Sequence, residues 1–224
     1  MVTATDLSVR YDKNTSAALD CVNINIADGE RVALIGANGA GKSTLLLAVA
    51  GVLKPHEGAV AAPPPEDLGV LFQNPDDQLF MPTVAEDVAF TPKNRGEAFP
   101  DIEKILETLG ILHLKERMTH RLSGGEKRLV ALAGVLITRP SLLLLDEPSS
   151  FLDPRARRNL IDILGTLTQT MLVATHDLDL ALDLCQRVII LENGKIRADA
   201  GAEILQDIPL LKDCGLEPPL SYSA

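Results

Sequence analysis

The sequence predicts an α/β fold in which strands and helices alternate around a central sheet. Short apolar runs such as Arg31–Ile35 and Leu142–Leu145 are typical of buried strands. Segments with the apolar spacing of helices follow these strands, and this alternation indicates an α/β sheet core. Residues 84–138 carry helical patterns, so we expect a helical subdomain inserted between the strands.

The individual elements follow from local patterns along the chain. Alternation of Val22, Ile24 and Ile26 with polar residues predicts a half-buried strand near the start. The turn signal Asn193-Gly194 predicts a hairpin of the segments Arg187–Glu192 and Lys195–Asp199. The other predictions are a strand at Arg31–Ile35, a helix from near Lys42 to Ala50, a strand at Leu68–Phe72, a helix at Ser123–Ile137, a strand at Leu142–Leu145, a helix after Pro154, a strand at Met171–Thr175 and a helix at Leu178–Cys185.

Composition and charge limit the classes of function. The 224 residues, 46% hydrophobic and 23% charged, are typical of a globular protein, and we expect one domain over 1–224. The net charge of −10 disfavours a nucleic-acid ligand. Three cysteines without metal-ligand spacing indicate reduced thiols in a cytoplasmic chain. The start lacks the features of a signal peptide and no apolar run approaches about 18 residues, so other chains would have to form any membrane pore.

A glycine-rich loop carries the most specific motif. Gly36–Ser43 reads G-A-N-G-A-G-K-S and fits the phosphate-loop pattern G-x-x-x-x-G-K-[ST], after a predicted strand and before a predicted helix. Glycines let backbone N–H groups turn towards an anion, and the helix start adds its positive dipole end. Lys42 would bind the β- and γ-phosphates, and the Ser43 hydroxyl would bind Mg²⁺. The alternative is a plain glycine-rich turn; as an ATP site, the loop offers Gly36, Asn38, Gly39, Gly41, Lys42, Ser43 and Thr44.

Two carboxylates follow the predicted strand Leu142–Leu145. Asp146 and Glu147 would lie at the carboxyl edge of the sheet, where α/β proteins bind ligands. Asp146 can then hold the shell of a Mg²⁺ ion, and Glu147 can act as general base towards the attacking water. The alternative is that these acids cap the following helix.

A second glycine motif opens the predicted helix Ser123–Ile137. Ser123 and Glu126 have the spacing of a capping box, which is the simplest interpretation of Leu122–Glu126. It does not explain Gly124 and Gly125, since each costs roughly 1 kcal/mol in a helix relative to alanine. Their presence predicts a backbone that another group approaches closely, at a second anion-binding helix start.

The order of these motifs resembles that of ABC transporter nucleotide-binding subunits, over nearly the whole chain. The resemblance implies a P-loop NTPase (RecA-like) core at 1–80 and 140–224, with an N-terminal antiparallel β-subdomain and a helical signature subdomain at 84–138. It implies ATP and Mg²⁺ as ligands. It also implies a homodimer or heterodimer of ATPase subunits that meet head to tail. The signature residues Ser123, Gly124 and Gly125 of one subunit then contact the ATP of the other.

The resemblance assigns roles to single residues, each of which has a plainer interpretation. His176 matches the switch histidine but could be a satisfied core residue, and Gln73 matches a γ-phosphate sensor but could be an ordinary strand end. Tyr11 matches the aromatic residue that stacks on adenine but could be a tyrosine of an edge strand. The implied catalytic residues are Glu147, His176 and Gln73, and the implied magnesium ligands are Ser43, Gln73 and Asp146.

Within that family, Phe72–Phe80 and Thr83–Phe90 resemble the ATPases of energy-coupling-factor importers, including the cobalt and nickel types. This implies integral membrane transport subunits as partners, at the cytoplasmic face of the cell membrane, and a metal ion or vitamin as cargo. The plainer interpretation is that the acidic run is a solvated loop. Two other functions stay open, a soluble ABC ATPase in repair, translation or cofactor assembly, and a regulatory module that barely hydrolyses ATP.

Three positions depart from the family pattern. Phe151 stands where a small glycine is usual, which questions the packing between subunits. Glu126 replaces a common glutamine and adds charge near the site. Leu129 holds a place usual for arginine, while Arg128 lies one position early, about 100° away around the helix.

Overall fold

Two β-sheets organise the chain in its computed structural model, which describes residues 1–12, 16–96, 101–219 and 221. The strands are β1 (Val2–Val9), β2 (Leu19–Ile26), β3 (Arg31–Ile35), β4 (Glu57–Ala61), β5 (Leu68–Leu71), β6 (Leu142–Asp146), β7 (Thr170–Ala174), β8 (Arg187–Glu192) and β9 (Lys195–Gly201). The first sheet is antiparallel, in the order β2–β1–β4. The second has the order β5–β6–β7–β3–β8–β9 and is parallel except at the β8–β9 hairpin.

The helices connect and cover these sheets. They are α1 (Lys42–Val49), α2 (Val84–Asn94), α3 (Ile102–Thr108), α4 (Gly124–Leu136), α5 (Pro154–Thr166), α6 (Leu178–Leu184) and α7 (Ile208–Asp213). Between β5 and β6 the chain forms α2, α3 and α4, and α2 and α4 pack against each other. The helical stretch therefore interrupts the order of strands at one point of the six-stranded sheet.

The central strands contribute to two hydrophobic cores, which explains why they are apolar throughout. In β3, Val32 and Leu34 pack with α1 and the antiparallel sheet, whereas Ala33 and Ile35 pack with the helices on the opposite face. A strand covered on both faces has no polar side, so its sequence is a continuous apolar run rather than an alternating one.

The predicted α/β class, the N-terminal antiparallel sheet and the β8–β9 hairpin are confirmed. The hairpin turn has left-handed backbone at Asn193 (φ 49°) and Gly194 (φ 77°), as a turn of this kind requires. Other boundaries differ by one or two residues: β5 ends before Phe72, Ser123 precedes α4 as its cap, and β9 continues to Gly201 rather than ending at Asp199. The short helix α7 was not predicted, because six residues carry too little periodicity.

The division into 1–80 with 140–224 and 84–138 stays a prediction, and residues 97–100 within it lie outside the described ranges. In the described part of the chain, none of the helices combines the length and apolarity needed to cross a bilayer.

Candidate active site

The phosphate-loop candidates lie between β3 and α1, at the carboxyl edge of the six-stranded sheet. A Cβ atom at Gly36 would lie 2.3 Å from the carbonyl oxygen of Leu191, and one at Gly41 would lie 2.6 Å from that of Ala18. Gly41 is the N-cap residue of α1, with a left-handed φ of 108° and no side-chain cap. These positions therefore exclude side chains, and the first N–H groups of α1 remain available to an anion.

Lys42 is folded back over its own loop. Its Nζ donates hydrogen bonds to the carbonyl oxygens of Gly36 at 2.7 Å and Ala37 at 3.1 Å. Burial lowers the pKa of Lys42, and the charges of Glu147 and Asp146 oppose that shift. The two carboxylates thus help to keep a buried ammonium charged beside the open N–H groups of α1.

Asp146 and Ser43 bring a carboxylate and a hydroxyl together. The Ser43 hydroxyl donates a hydrogen bond to Asp146, the last residue of β6. Burial raises the pKa of Asp146, the Ser43 bond lowers it, and repulsion by Glu147 raises it further. Among the described residues, no cluster of three or more His, Cys, Asp or Glu side chains could hold a metal. A paired hydroxyl and carboxylate fit Mg²⁺, which favours oxygen ligands and takes the rest from water and phosphates.

Glu147 and His176 form a second polar pair at the same sheet edge. His176 Nδ1 lies 2.7 Å from Glu147 Oε2; the Glu147 side chain is 7% exposed and the His176 side chain 70%. Glu147 has a left-handed φ of 50°, which is strained for a residue with a side chain, and its N–H donates to the Ala174 carbonyl at 2.8 Å. The carboxylate is thus buried on a fixed backbone, next to an imidazole that reaches solvent.

Two of the plainer interpretations are wrong. His176 is not a core residue, because its side chain is largely exposed. Neither Asp146 nor Glu147 caps the following helix, because Asp153 is the N-cap of α5 and accepts hydrogen bonds from the Arg155 and Ala156 amides at 2.9 Å.

Gln73 and Tyr11 complete one cavity of about 440 Å³. Gln73 is exposed just beyond β5, and Tyr11 lies beyond the end of β1 rather than within an edge strand. The Tyr11 hydroxyl and the Thr44 Oγ1 share a hydrogen bond of 3.0 Å, which places the tyrosine over the start of α1. The residues that line the cavity are Tyr11, Ala18, Asn38, Gly39, Gly41, Lys42, Ser43, Thr44, Gln73, Asp146 and Glu147.

The signature residues lie at a different cavity. The capping box is present: the Glu126 amide donates to Ser123 Oγ at 3.3 Å, and the Ser123 amide donates to Glu126 Oε2 at 2.7 Å. Ser123–Glu126 line a cavity of about 490 Å³ together with Phe151. None of its lining residues belongs to the phosphate loop. The predicted signature residues and the predicted phosphate loop are therefore not brought together within one chain.

Sequence reasoning missed the position of Arg128, which it treated only as a departure from a pattern. The side chain is 1% exposed and donates hydrogen bonds to backbone carbonyls at the ends of β5 and β6. A signal was present, since Arg128 has the helical spacing of the buried residues Leu132 and Val135 and so lies on the inner face of α4.

Comparison with known proteins identifies similar chains over nearly the full length. The family model described as ABC transporter matches residues 19–150. A relative from Gloeobacter violaceus, named as an ABC transporter ATP-binding protein, is 49% identical over 96% of both chains. The energy-coupling factor transporter ATP-binding protein EcfA of Methanothermobacter thermautotrophicus is 40% identical over 98% of this chain and 77% of that protein. The structure of cbiO1 from Clostridium perfringens, part of the ABC transporter complex cbiONQ, superposes with a TM-score of 0.77 and 32% identity, over 93% of this chain and 94% of that chain.

Proposed function

This chain belongs to the ABC transporter family as an ATP-binding, Mg²⁺-dependent ATPase, and we propose that it energises an importer of the energy-coupling-factor type. The observation that carries the catalytic part of this proposal is the single cavity in which the phosphate loop, Gln73, Asp146 and Glu147 meet. These groups come from separate parts of the chain, and the carboxyl edge of a parallel sheet is where such groups converge.

In the proposed reaction, the phosphate-loop amides and Lys42 bind the phosphates, and the Tyr11 ring supports the adenine. Mg²⁺, when bound, neutralises charge on the phosphates, and Ser43 and Asp146 would hold it with Gln73 nearby. Glu147 accepts a proton from the attacking water, whose oxygen forms a bond to the γ-phosphorus. The bond from that phosphorus to the bridging oxygen breaks, and ADP and phosphate leave.

His176 and Gln73 are proposed to sense the γ-phosphate. His176 Nδ1 lies 2.7 Å from Glu147 Oε2, so a hydrogen on Nδ1 would be donated to that carboxylate and would orient it, leaving Nε2 for a contact with the γ-phosphate. Gln73 is exposed, as are Asn74, Asp76 and Asp77 after it, so a change in the position of Gln73 can reach the surface of the protein.

The separate cavity of Ser123–Glu126 supports the proposal that the working unit is a dimer, either of two copies or with a second ABC ATPase. The start of α1 and the start of α4, the two glycine-bearing helix starts of the chain, line different cavities. A head-to-tail pair would place the signature of one subunit against the nucleotide of the other and so complete both sites.

The membrane part of the proposal rests on the segment after Gln73. Phe80 is 65% exposed and its ring lies 6.3 Å from that of Phe90, beside the exposed acids Asp76 and Asp77. An exposed aromatic ring that packs on a half-buried one, in the segments that follow Gln73, suits contact with an integral membrane subunit. The chain would then lie at the cytoplasmic face of the cell membrane. The names of EcfA and cbiO1 support a metal ion or vitamin as cargo.

The direct test of the chemistry is ATP turnover by the Glu147→Gln variant. We expect a loss of about 100-fold or more, because the amide cannot accept the proton of water. Glu192→Gln, at the end of β8, is the matched control and should keep wild-type turnover. Near wild-type turnover by Glu147→Gln would contradict the role of Glu147.

The proposed role in an importer is tested with a tagged version of the protein, expressed from its native gene on the chromosome. We expect it to sediment with membranes and to co-purify in mild detergent with one defined set of integral membrane proteins. ATP-dependent uptake of labelled Co²⁺, Ni²⁺ or a vitamin by that complex in liposomes would identify the cargo. Recovery only from the soluble fraction would instead favour a non-transport ABC ATPase.

A further inference from the structure

Arg128 is a buried arginine bound by main-chain oxygens rather than by acids. In the described part of the chain it forms no ion pair, although it is 1% exposed. An arginine has five N–H donors in a planar fork, and here each of the five has a carbonyl partner. Nη1 donates to Phe72 and, at 3.2 Å, to Gln73; Nη2 donates to Asp146 and Glu147; and Nε donates, at 3.4 Å, to Pro148.

These carbonyls belong to the backbone that carries the proposed catalytic side chains. Gln73 lies just beyond β5, and Asp146 ends the neighbouring strand β6. Glu147 has the left-handed φ of 50°, a conformation that persists only when surrounding contacts enforce it. The Glu147 N–H donates to the Ala174 carbonyl and the Glu147 carbonyl accepts from Arg128, so the backbone of Glu147 is held on both sides of its Cα atom.

The other end of Arg128 is fixed to the signature helix. Arg128 lies five residues after the cap Ser123, which is about one and a half turns of α4. Its guanidinium therefore joins the helix that begins with Gly124 and Gly125 to the ends of β5 and β6, beside the phosphate-loop cavity. Burial lowers the pKa of Arg128 to about 10, and the charges of Asp146 and Glu147 oppose that shift, so the side chain stays a cation at neutral pH.

We propose that Arg128 is a positioning residue for ATP hydrolysis, which fixes the backbones of Gln73 and Glu147 relative to the signature helix. The proposal rests on the proposed function, because it matters only if Glu147 and Gln73 act on ATP. The five hydrogen bonds of the Arg128 guanidinium all go to backbone carbonyl oxygens, so Arg128 would act through the main chain. A lysine cannot replace it, since an ammonium has three donors at one point and cannot reach five carbonyls.

The test compares Arg128→Lys with Lys127→Met in the full-length chain. Lys127, the residue before Arg128, forms an ion pair with the exposed carboxylate of Asp76 at 2.6 Å and serves as the matched control. For Arg128→Lys we expect kcat to fall about 10- to 100-fold, the effect of a misplaced catalytic group, with KM for ATP changed less than about threefold. Lys127→Met should stay within about twofold in both constants.

A double variant separates positioning from general damage. Introduced into the wild type, Arg128→Lys should strongly lower the rate constant of single-turnover hydrolysis. Introduced into the Glu147→Gln variant, it should change that rate constant by less than about twofold, because the group that Arg128 positions is already disabled. Equal factors in both backgrounds would overturn the proposal and indicate a structural role alone. Wild-type kcat for Arg128→Lys, with Glu147→Gln inactive, would overturn it while leaving the proposed function intact. Full activity of Glu147→Gln would instead remove the proposed function.

The assays are run below the unfolding temperature of each variant, measured by thermal melting. If Arg128→Lys does not fold, Arg128→Gln is used under the same criteria. In either variant, hydrogen exchange of the amides in residues 72–78 and 146–150 should accelerate selectively while β3 and β7 stay protected. Unchanged exchange in both segments would contradict the proposal independently of activity.

Discussion

The two glycine-bearing helix starts differ in what makes their glycines necessary. At the start of α1, Gly36 and Gly41 lie against neighbouring carbonyls that a Cβ atom would strike, and no side chain caps the helix. At the start of α4, Gly124 and Gly125 have ordinary backbone conformations, and a complete capping box satisfies the helix end. The fold of the chain itself therefore requires glycine at positions 36 and 41. The glycines at positions 124 and 125 are instead explained by the groups that pack against the start of α4.

Within the chain, the neighbour of the signature glycines is Phe151. A Cβ atom at Gly124 would lie 3.4 Å from the Phe151 Cβ, and one at Gly125 would lie 3.0 Å from the Phe151 carbonyl oxygen. Phe151 has a left-handed φ of 68° and is 67% exposed. The departure noted in the sequence thus places an aromatic ring, on strained backbone, beside the helix start that the partner's nucleotide is proposed to approach.

The largest effect on stability and ATP binding is expected for Gly41→Ala, which disrupts the phosphate loop. The new methyl group would meet the Ala18 carbonyl on left-handed backbone, so we expect a loss of about 2–4 kcal/mol in unfolding free energy and about 100-fold weaker ATP binding. Urea unfolding and titration with a fluorescent ATP analogue measure the two quantities.

Gly51→Ala is the matched control, because Gly51 also has a positive φ, of 73°, but nothing lies within 4 Å of a Cβ there. It should cost about 1 kcal/mol and leave ATP binding unchanged. Equal effects of the two substitutions would show that backbone strain, rather than the close carbonyl, limits the loop.

A smaller difference, in unfolding free energy, is expected between Phe151→Gly and Phe151→Ala, at the residue that lies against the signature glycines. Both remove the ring, but only glycine adopts a φ of 68° without strain, so Phe151→Gly should be about 1 kcal/mol more stable than Phe151→Ala. Urea unfolding of the two variants isolates this difference. Equal stability would mean that residue 151 leaves the left-handed region when the ring is absent.

The smallest effect is an opposite response of the two regions to acid. Burial and Glu147 raise the pKa of Asp146 above its ordinary 3.8, so the folded state binds this proton more tightly and the contribution of Asp146 to stability is lost as pH rises through that raised pKa. The Ser123 amide bond lowers the pKa of Glu126 below its ordinary 4.5, so its contribution is present above 4.5 and lost as pH falls through the lowered pKa.

Unfolding free energies of the wild type, Asp146→Asn and Glu126→Gln, measured from pH 3 to about 7, check both signs. The difference between wild type and Glu126→Gln should shrink towards pH 3, while wild type should gain relative to Asp146→Asn in the same range. A shift of both differences in the same direction would contradict the contrast between the two sites.

Much of the fold could be predicted because its signals are local. The turn Asn193-Gly194, the strand Leu142–Leu145 and the capping box at Ser123 each depend on residues close together in the chain, and the structure has all three. The contact between the signature glycines and Phe151 could not be predicted, since 26 to 27 positions separate them and no local pattern links them.

The sequence by itself determined the fold class, the phosphate loop and the order of the motifs, because periodicity, turn chemistry and a fixed glycine spacing are properties of short segments. Only the tertiary structure decided which of those motifs share a cavity. It joined Gln73 and Glu147 to the phosphate loop and left Ser123–Gly125 elsewhere. It also turned Arg128 inward onto carbonyls of two strand ends, since buried main-chain oxygens need donors and their positions exist only once the sheet has formed.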